Sequence, residues 1–143
     1  MKRLLVVALL LAGGISLACA GGDQPIQVAQ MPDNARNFIK KHFGDIQVSF
    51  ARKETMPVSY EVVFVNGSKV EFDSHGEWTE VDCEHGVVPD EIVPRQIVRF
   101  VDENHPGRKI VGISRERHGY DVTLSNGLDL KFDADYRLVG IDD

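Results

Sequence analysis

The chain has 143 residues, 43% of them hydrophobic and 27% charged, with 16 basic against 22 acidic side chains and two cysteines. Its net charge of −6 repels nucleic acid and anionic lipid at long range, so neither is an expected partner. The length suits one compact domain, large enough to bury a core without a disulfide or a structural metal.

Residues 1–20 read MKRLLVVALLLAGGISLACA, with the three parts of a secretory leader. Lys2 and Arg3 supply the positive start, Leu4 to Leu11 the apolar run, and Ala18-Cys19-Ala20 a small-residue cleavage site. The apolar run is too short for a permanent membrane span. Cleavage after Ala20 predicts a periplasmic protein. Loss of Lys2 and Arg3 takes the 16 basic side chains to 14 against 22 acidic, a net charge of −8. Cys83 is then the remaining cysteine, so no intramolecular disulfide forms in the oxidising compartment. A rival reading attaches lipid to Cys19. That processing favours Leu three places before the Cys, where this chain has Ser16.

The chain repeats itself. VNGSKVEFD at 65–73 returns as SNGLDLKFD at 125–133. At an offset of sixty, Tyr60, Val62, Asn66, Gly67, Phe72, Asp73 and Asp82 match Tyr120, Val122, Asn126, Gly127, Phe132, Asp133 and Asp142. Upstream the offset is 62, pairing Pro32 with Pro94, Phe38 with Phe100 and Ile39 with Val101. Two copies of one unit are therefore expected, the first over 21–83 and the second over 93–143, with 84–92 as a linker.

Each unit opens with a helix. Pro32 and Pro94 suit a first helical position, where a missing N–H is no loss. Ala35, Phe38, Ile39 and His42 or Phe43 fall at helical spacing in one copy, and Ile97, Val98, Phe100 and Val101 in the other. Gly44 and Pro106-Gly107 end the helices. Four short strands follow each helix, at about 46–53, 58–65, 69–73 and 77–82, then 109–117, 119–125, 128–133 and 136–142.

The Asn-Gly pairs decide the strand register. A two-residue turn would set Val62 opposite Glu71 and mix the faces. A three-residue turn with Gly67 left-handed sets Phe64 opposite Ser68, Val62 opposite Val70 and Tyr60 opposite Phe72. The same turn in the second copy pairs Leu124 with Leu128, Val122 with Leu130 and Tyr120 with Phe132. A slip of one residue would turn all of these side chains to the other face.

The polar side of the hairpins then carries Glu61, Val63, Lys69, Glu71 and Asp73, and Asp121, Thr123, Asp129, Lys131 and Asp133. An antiparallel sheet can keep one face in water while helices cover the other. The predicted fold is α+β: a tandem repeat of a helix plus about four antiparallel strands, with both helices on one face of the sheet. Whether the eight strands make one continuous sheet is left open at this level.

MPDNARNFIKKHF, YEVVFVNGSKVEFDSHGEWTEVDC and IVPRQIVRFVDENHPGRKI with YDVTLSNGLDLKFD resemble the PepSY-like periplasmic proteins of gut Bacteroidetes. The resemblance spans essentially the whole mature chain. It implies a fold like that of β-lactamase inhibitory protein, with tandem α/β repeats and an exposed, often concave polar sheet face. It does not imply inhibition of a β-lactamase, because fold does not carry function. No catalytic residues come with the family, and calcium-linked regulation has been suggested for some of its members.

No motif of nucleophilic, metallopeptidase or nucleotide-binding chemistry is present. The five histidines, His42, His75, His85, His105 and His118, are scattered, as solvated or capping residues are. No enzyme is expected. The EVDCEH run at 80–85 mixes Glu80, Asp82, Cys83 and His85, but zinc prefers three or four Cys or His at defined spacing. A strand end entering a charged linker is the plainer account. Glu61 and Glu71 face each other across the first hairpin with Asp73 nearby. Such an acidic group can attract Ca²⁺ or receive a partner's basic side chain, or it can be fully solvated. The DADYRL stretch at 133–138 fails as a calcium loop at its third ligand and lacks the glycine. Trp78, aligned with Leu138, reads as core or edge packing rather than an exposed anchor.

The expected function is a secreted, non-enzymatic binding or inhibitor-like module. It would recognise a protein or peptide through Glu61, Lys69, Glu71, Asp73, Asp121, Thr123, Asp129 and Lys131. The alternative is a calcium-responsive accessory protein using Glu61, Glu71 and Asp73. No other cofactor is implied.

Overall fold

A computed structural model describes residues 22–143; the predicted leader and Cys19 lie outside the described residues. The described residues form nine strands, β1 (Gln24–Ile26), β2 (Val48–Thr55), β3 (Val58–Phe64), β4 (Lys69–Asp73), β5 (Trp78–Asp82), β6 (Ile110–Glu116), β7 (Gly119–Leu124), β8 (Asp129–Asp133) and β9 (Leu138–Asp142). Helix α1 (Asp33–Phe43) precedes β2, and α2 (Arg95–Asn104) lies between β5 and β6. The strands form one antiparallel sheet in the order of the chain, β1 to β9. The two sets of four expected strands are thus continuous, joined where Glu80, Val81 and Asp82 face Ser114, Ile113 and Gly112.

Two expectations need correction. The strand β1 was not anticipated: Gln24–Ile26 contains a proline and is too short to alternate. Its residues pair with Lys53, Arg52 and Ala51, giving β2 a neighbour on its outer side. The prolines also stand one place earlier than expected. Pro32 and Pro94 are the N-caps, with ψ of 153° and 136°, so their fixed φ is used in an extended residue just ahead of the first helical turn.

The turn register is the one read from the sequence. Gly67 and Gly127 adopt φ of +90° and +91°, a conformation that costs a residue with a Cβ about 1 kcal/mol or more. The Phe64 N–H donates to the Ser68 carbonyl at 2.8 Å, and the Leu124 N–H to the Leu128 carbonyl at 2.8 Å. Val62 then faces Val70, and Val122 faces Leu130.

All four of these side chains are fully buried, as are Phe64, Phe72, Leu124 and Phe132. They share one hydrophobic cluster with Ala35, Ile39 and Phe43 of α1 and Ile97 and Val101 of α2. Burying each large apolar side chain contributes about 1.5–3 kcal/mol. Phe43 stacks on Phe64 with ring centroids 5.0 Å apart. The 84–92 segment also packs: Val88 and Ile92 are buried, and the Val88 N–H donates to the Ile110 carbonyl at 2.9 Å. That segment is therefore part of the core, holding β5 and β6 together.

Candidate functional site

Because the side-chain period of a strand is two, a continuous antiparallel sheet lines up its outward residues in transverse rows. One row runs from β2 to β9 as Arg52, Glu61, Glu71, Glu80, Ser114, Asp121, Lys131 and Gly140. Beside it Val63, Lys69, Asp82, Gly112, Thr123, Asp129 and Asp142 run from β3 to β9. The two rows carry most of the residues expected on the polar face and divide into two zones.

The first zone centres on Lys69. Its Nζ lies 3.3 Å from Glu71, 3.5 Å from Glu80 and 3.8 Å from Glu61. Burial alone would lower the Lys69 pKa, but the hydrogen bond to Glu71 and the charges of Glu80, Glu71 and Glu61 together raise it. Arg52 approaches Glu61 from the other side as an ion pair outside hydrogen-bond geometry, and it also contacts Asp23 at 3.2 Å. The facing pair Glu61 and Glu71 is therefore neutralised within the chain by Lys69 and Arg52. Asp73 is engaged elsewhere: its Oδ1 accepts from the N–H groups of His75 and Glu77 at 2.8 and 3.0 Å, closing the β4–β5 turn. Among the described residues no group of three or more His, Cys, Asp or Glu is arranged to hold a metal ion.

The second zone is a depression of about 540 Å³ centred on β6. Its floor is low because β6 places Gly112 and Ser114 on this side, between Asp82 and Glu80 of β5 and Thr123 and Asp121 of β7. Its lining includes six carboxylates, Glu80, Asp82, Glu84, Asp121, Asp129 and Asp142, against a single cation, Lys131. Thr123 Oγ1 donates to Asp129 at 2.7 Å, His118 Nε2 donates to Asp121 at 2.8 Å, and Lys131 Nζ lies 3.6 Å from Asp142. Burial, then the neighbouring charge of Glu71, raises the Glu80 carboxyl above its ordinary pKa, against the pull of Lys69.

Four expected residues, Asp121, Thr123, Asp129 and Lys131, thus share the depression, while Glu61, Lys69 and Glu71 share the ion cluster beside it. Sequence reasoning missed Arg52, Asp142 and the two small residues of β6, and it weighed Glu80 and Asp82 only as metal ligands. The repeat offset held the signal, since it aligns Gly112 and Ser114 with the bulky Phe50 and Arg52 of β2. In EVDCEH the pleat separates the hard ligands from the soft one. Glu80 and Asp82 face the polar side, and Cys83 is buried in the core, where burial raises its thiol pKa.

Residues 58–139 match the family described as "Putative beta-lactamase-inhibitor-like, PepSY-like". The chain belongs to the PepSY-like family. No curated protein matches it. Among solved structures, this PepSY-like chain is similar to a "putative calcium-regulated periplasmic protein" of Bacteroides thetaiotaomicron, at 49% identity and a TM-score of 0.82. The match covers 85% of this chain and 97% of that one. It is similar as well to two periplasmic proteins of Bacteroides vulgatus. One has 46% identity and a TM-score of 0.82 over 85% of this chain and 97% of the other. The second, described as of unknown function, has 36% identity and a TM-score of 0.80 over 85% and 100%. The protein is periplasmic.

The PepSY-like chain has another hollow, of about 690 Å³, where the segment entering α2 meets β5, β6 and β7. Trp78 is buried there, with the Arg115 guanidinium 4.1 Å from its ring centroid. Tyr120 and Tyr136 stand beside it with centroids 5.7 Å apart. Trp78 is thus a packing residue capped by a cation, in keeping with its expected role.

Proposed function

We propose that this PepSY-like protein is a non-enzymatic periplasmic binding module that takes a basic loop or peptide of a partner protein onto the polar face of its sheet. The observation that carries this reading is the depression over Gly112 and Ser114, where six carboxylates surround one lysine. A rigid sheet presents these groups at fixed spacing, and charge complementarity of this kind sets partner choice and association rate. The reading treats the chain as two copies of one unit, whose helices cover the apolar face and leave the polar face free. Two matching contacts support it. Phe38 meets Phe72 and Phe100 meets Phe132 in the same edge-on geometry, and Asp73 and Asp133 close their turns with the same pair of backbone bonds.

Photo-crosslinker placed at Ser114 tests the reading, with the exposed Gln96 of α2 as the control position. A salt-sensitive adduct formed in periplasm from position 114 and lost in Glu80→Lys/Asp121→Lys is the expected result. Adducts from position 96 alone, or adducts indifferent to the charge reversal, would refute it.

The similarity to the "putative calcium-regulated periplasmic protein" of Bacteroides thetaiotaomicron favours a second reading, in which acidic strand residues bind Ca²⁺. Glu61, Glu71 and Asp73 are the residues first suggested, and Ca²⁺ there must displace Lys69. Calcium titration followed by Trp78 fluorescence and thermal melting tests it. A rise in Tm abolished by Glu71→Ala supports this reading, and no response up to millimolar calcium removes it.

A further inference from the structure

Among the described residues, the far edge of β9 lacks the neighbour that its counterpart β5 possesses. The sixty-residue offset places Leu138, Ile141 and Asp142 where Trp78, Val81 and Asp82 stand. Both strands also carry the same irregularity, opposite Glu71/Phe72 and Lys131/Phe132. In β5 the outer side is paired with β6, Val81 faces Ile113, and Val81 is 0% exposed. β9 pairs with β8 alone. Ile141 is 50% exposed and Val139 61%. The opposite border of the sheet differs, since β1 covers β2 and is itself only three residues with a proline at its centre.

Sheet borders in soluble proteins are usually blunted by Pro, Lys or inward-pointing charge. Leu138–Asp142 has none of these, Asp142 is its sole charge, and its one irregularity, the bulge at Val139, is the one that β5 carries while paired with β6. The border is also self-complementary. If two β9 strands run antiparallel about Gly140, Gly140 faces Gly140 of the second copy and Val139 faces Ile141. Beyond them Leu138 faces Asp142, and Arg137, which within its own chain already contacts Asp133 and Asp135 at 3.0 and 3.3 Å, faces Asp143. The apolar pair and the opposite-charge pair each occur twice by symmetry. Gly140 leaves room at the axis: a Cβ there would meet only the Lys131 side chain, at 3.5 Å or more.

We propose that two copies of this chain associate through their β9 strands, antiparallel and two-fold about Gly140, joining their sheets into one. The contact is isologous and closes on itself, whereas β9 against β1 of another copy would build an open-ended fibre. It extends the polar rows across the axis and gives Ile141 the β-branched neighbour that Ile113 gives Val81. The proposal is independent of what the polar face binds.

Gly140→Cys supplies the test, because Cα atoms directly opposite across an antiparallel pair lie about 4.5–5.5 Å apart, inside the range a disulfide spans. The mature protein is expected at twice the monomer mass by light scattering. The Gly140→Cys variant, folded by circular dichroism, should form an inter-chain disulfide in air, and Ile141→Lys should run as a folded monomer. A parent that stays monomeric up to several hundred micromolar overturns the proposal. A dimer in which Gly140→Cys stays reduced, or which survives Ile141→Lys, overturns it equally, as does unlimited growth with concentration.

Discussion

Phe38 of α1 lies edge-on to Phe72 of β4, with ring centroids 5.5 Å apart and planes at 85°. Phe100 and Phe132 repeat the contact at 5.4 Å and 86°. In this arrangement the positive ring edge meets the negative face, which adds about 0.5–1.5 kcal/mol to the area buried. Phe72→Ala and Phe132→Ala are each expected to cost about 3–5 kcal/mol in urea unfolding. The two losses should agree within about 1 kcal/mol if the sites are equivalent. A much smaller loss at either one would show that its helix is not held through this ring.

Glu80 gives the polar face a defined pH dependence. Burial and then Glu71 raise its carboxyl above the ordinary 4.5. The folded state therefore holds this proton more tightly than the unfolded chain. The stabilisation is full below pH 4.5 and is lost as pH rises through the raised folded value. Glu80→Gln removes the charge and should melt higher than the parent at pH 7. The rise should be about 1–2 °C, modest because the side chain keeps 39% of its surface in water. The gap should shrink towards zero below pH 4.5 in melts from pH 3 to 8. A constant or reversed gap would mean that the ion pair with Lys69 outweighs burial.

Gly76 and Tyr136 occupy equivalent turn positions and both have positive φ, 84° and 65°. At Gly76 a Cβ would come within 2.8 Å of Pro32 Cβ and 3.1 Å of the Ala35 nitrogen. Gly76→Ala should therefore cost about 2–3 kcal/mol, combining backbone strain with overpacking against α1. Tyr136 bears the same strain and recovers part of it against Tyr120. Tyr136→Ala, which keeps the strain and loses the ring, should be about 1 kcal/mol less stable than Tyr136→Gly. Chemical denaturation ranks the three variants, and Tyr136→Ala at or above Tyr136→Gly would contradict this account.

Cys83 is raised in pKa first by burial, partly countered by a hydrogen bond with Ser68. A buried, protonated thiol is a poor nucleophile. A colourless thiol reagent that reports by absorbance should modify it at the rate of unfolding and no faster. Rapid modification of the native protein would place the thiol at the surface.

The hairpins were legible in the sequence because two independent constraints agree there. Asn66-Gly67 and Asn126-Gly127 specify the turn, and only one register sets Tyr60 and Val62 opposite the apolar Phe72 and Val70 rather than opposite charged residues. The helices were legible from Phe38, Ile39, Ile97 and Val101, with an error of one residue at the prolines, since a fixed φ suits both the N-cap and the first turn. β1 was not, because Gln24–Ile26 is strand only by virtue of pairing with β2. The depression was hidden for a similar reason. Gly112 and Ser114 become a floor only when β5 lies beside β6, and that pairing spans the whole α2 crossover. Local pattern chose the faces, and long-range contact decided which side chains share a site.

The strictly sequential strand order has a consequence for export. Every strand pairs with the one synthesised just before it, so no early segment must wait for a distant late one. A chain threaded through a secretion channel from its N-terminus can add each strand to a sheet already in place on the far side. Loop closure then stays short at each hairpin and is long only where a helix intervenes, between β1 and β2 and between β5 and β6. Arrest of translocation after β5 should leave outside the membrane a half-built sheet whose growing border is the outer side of β5.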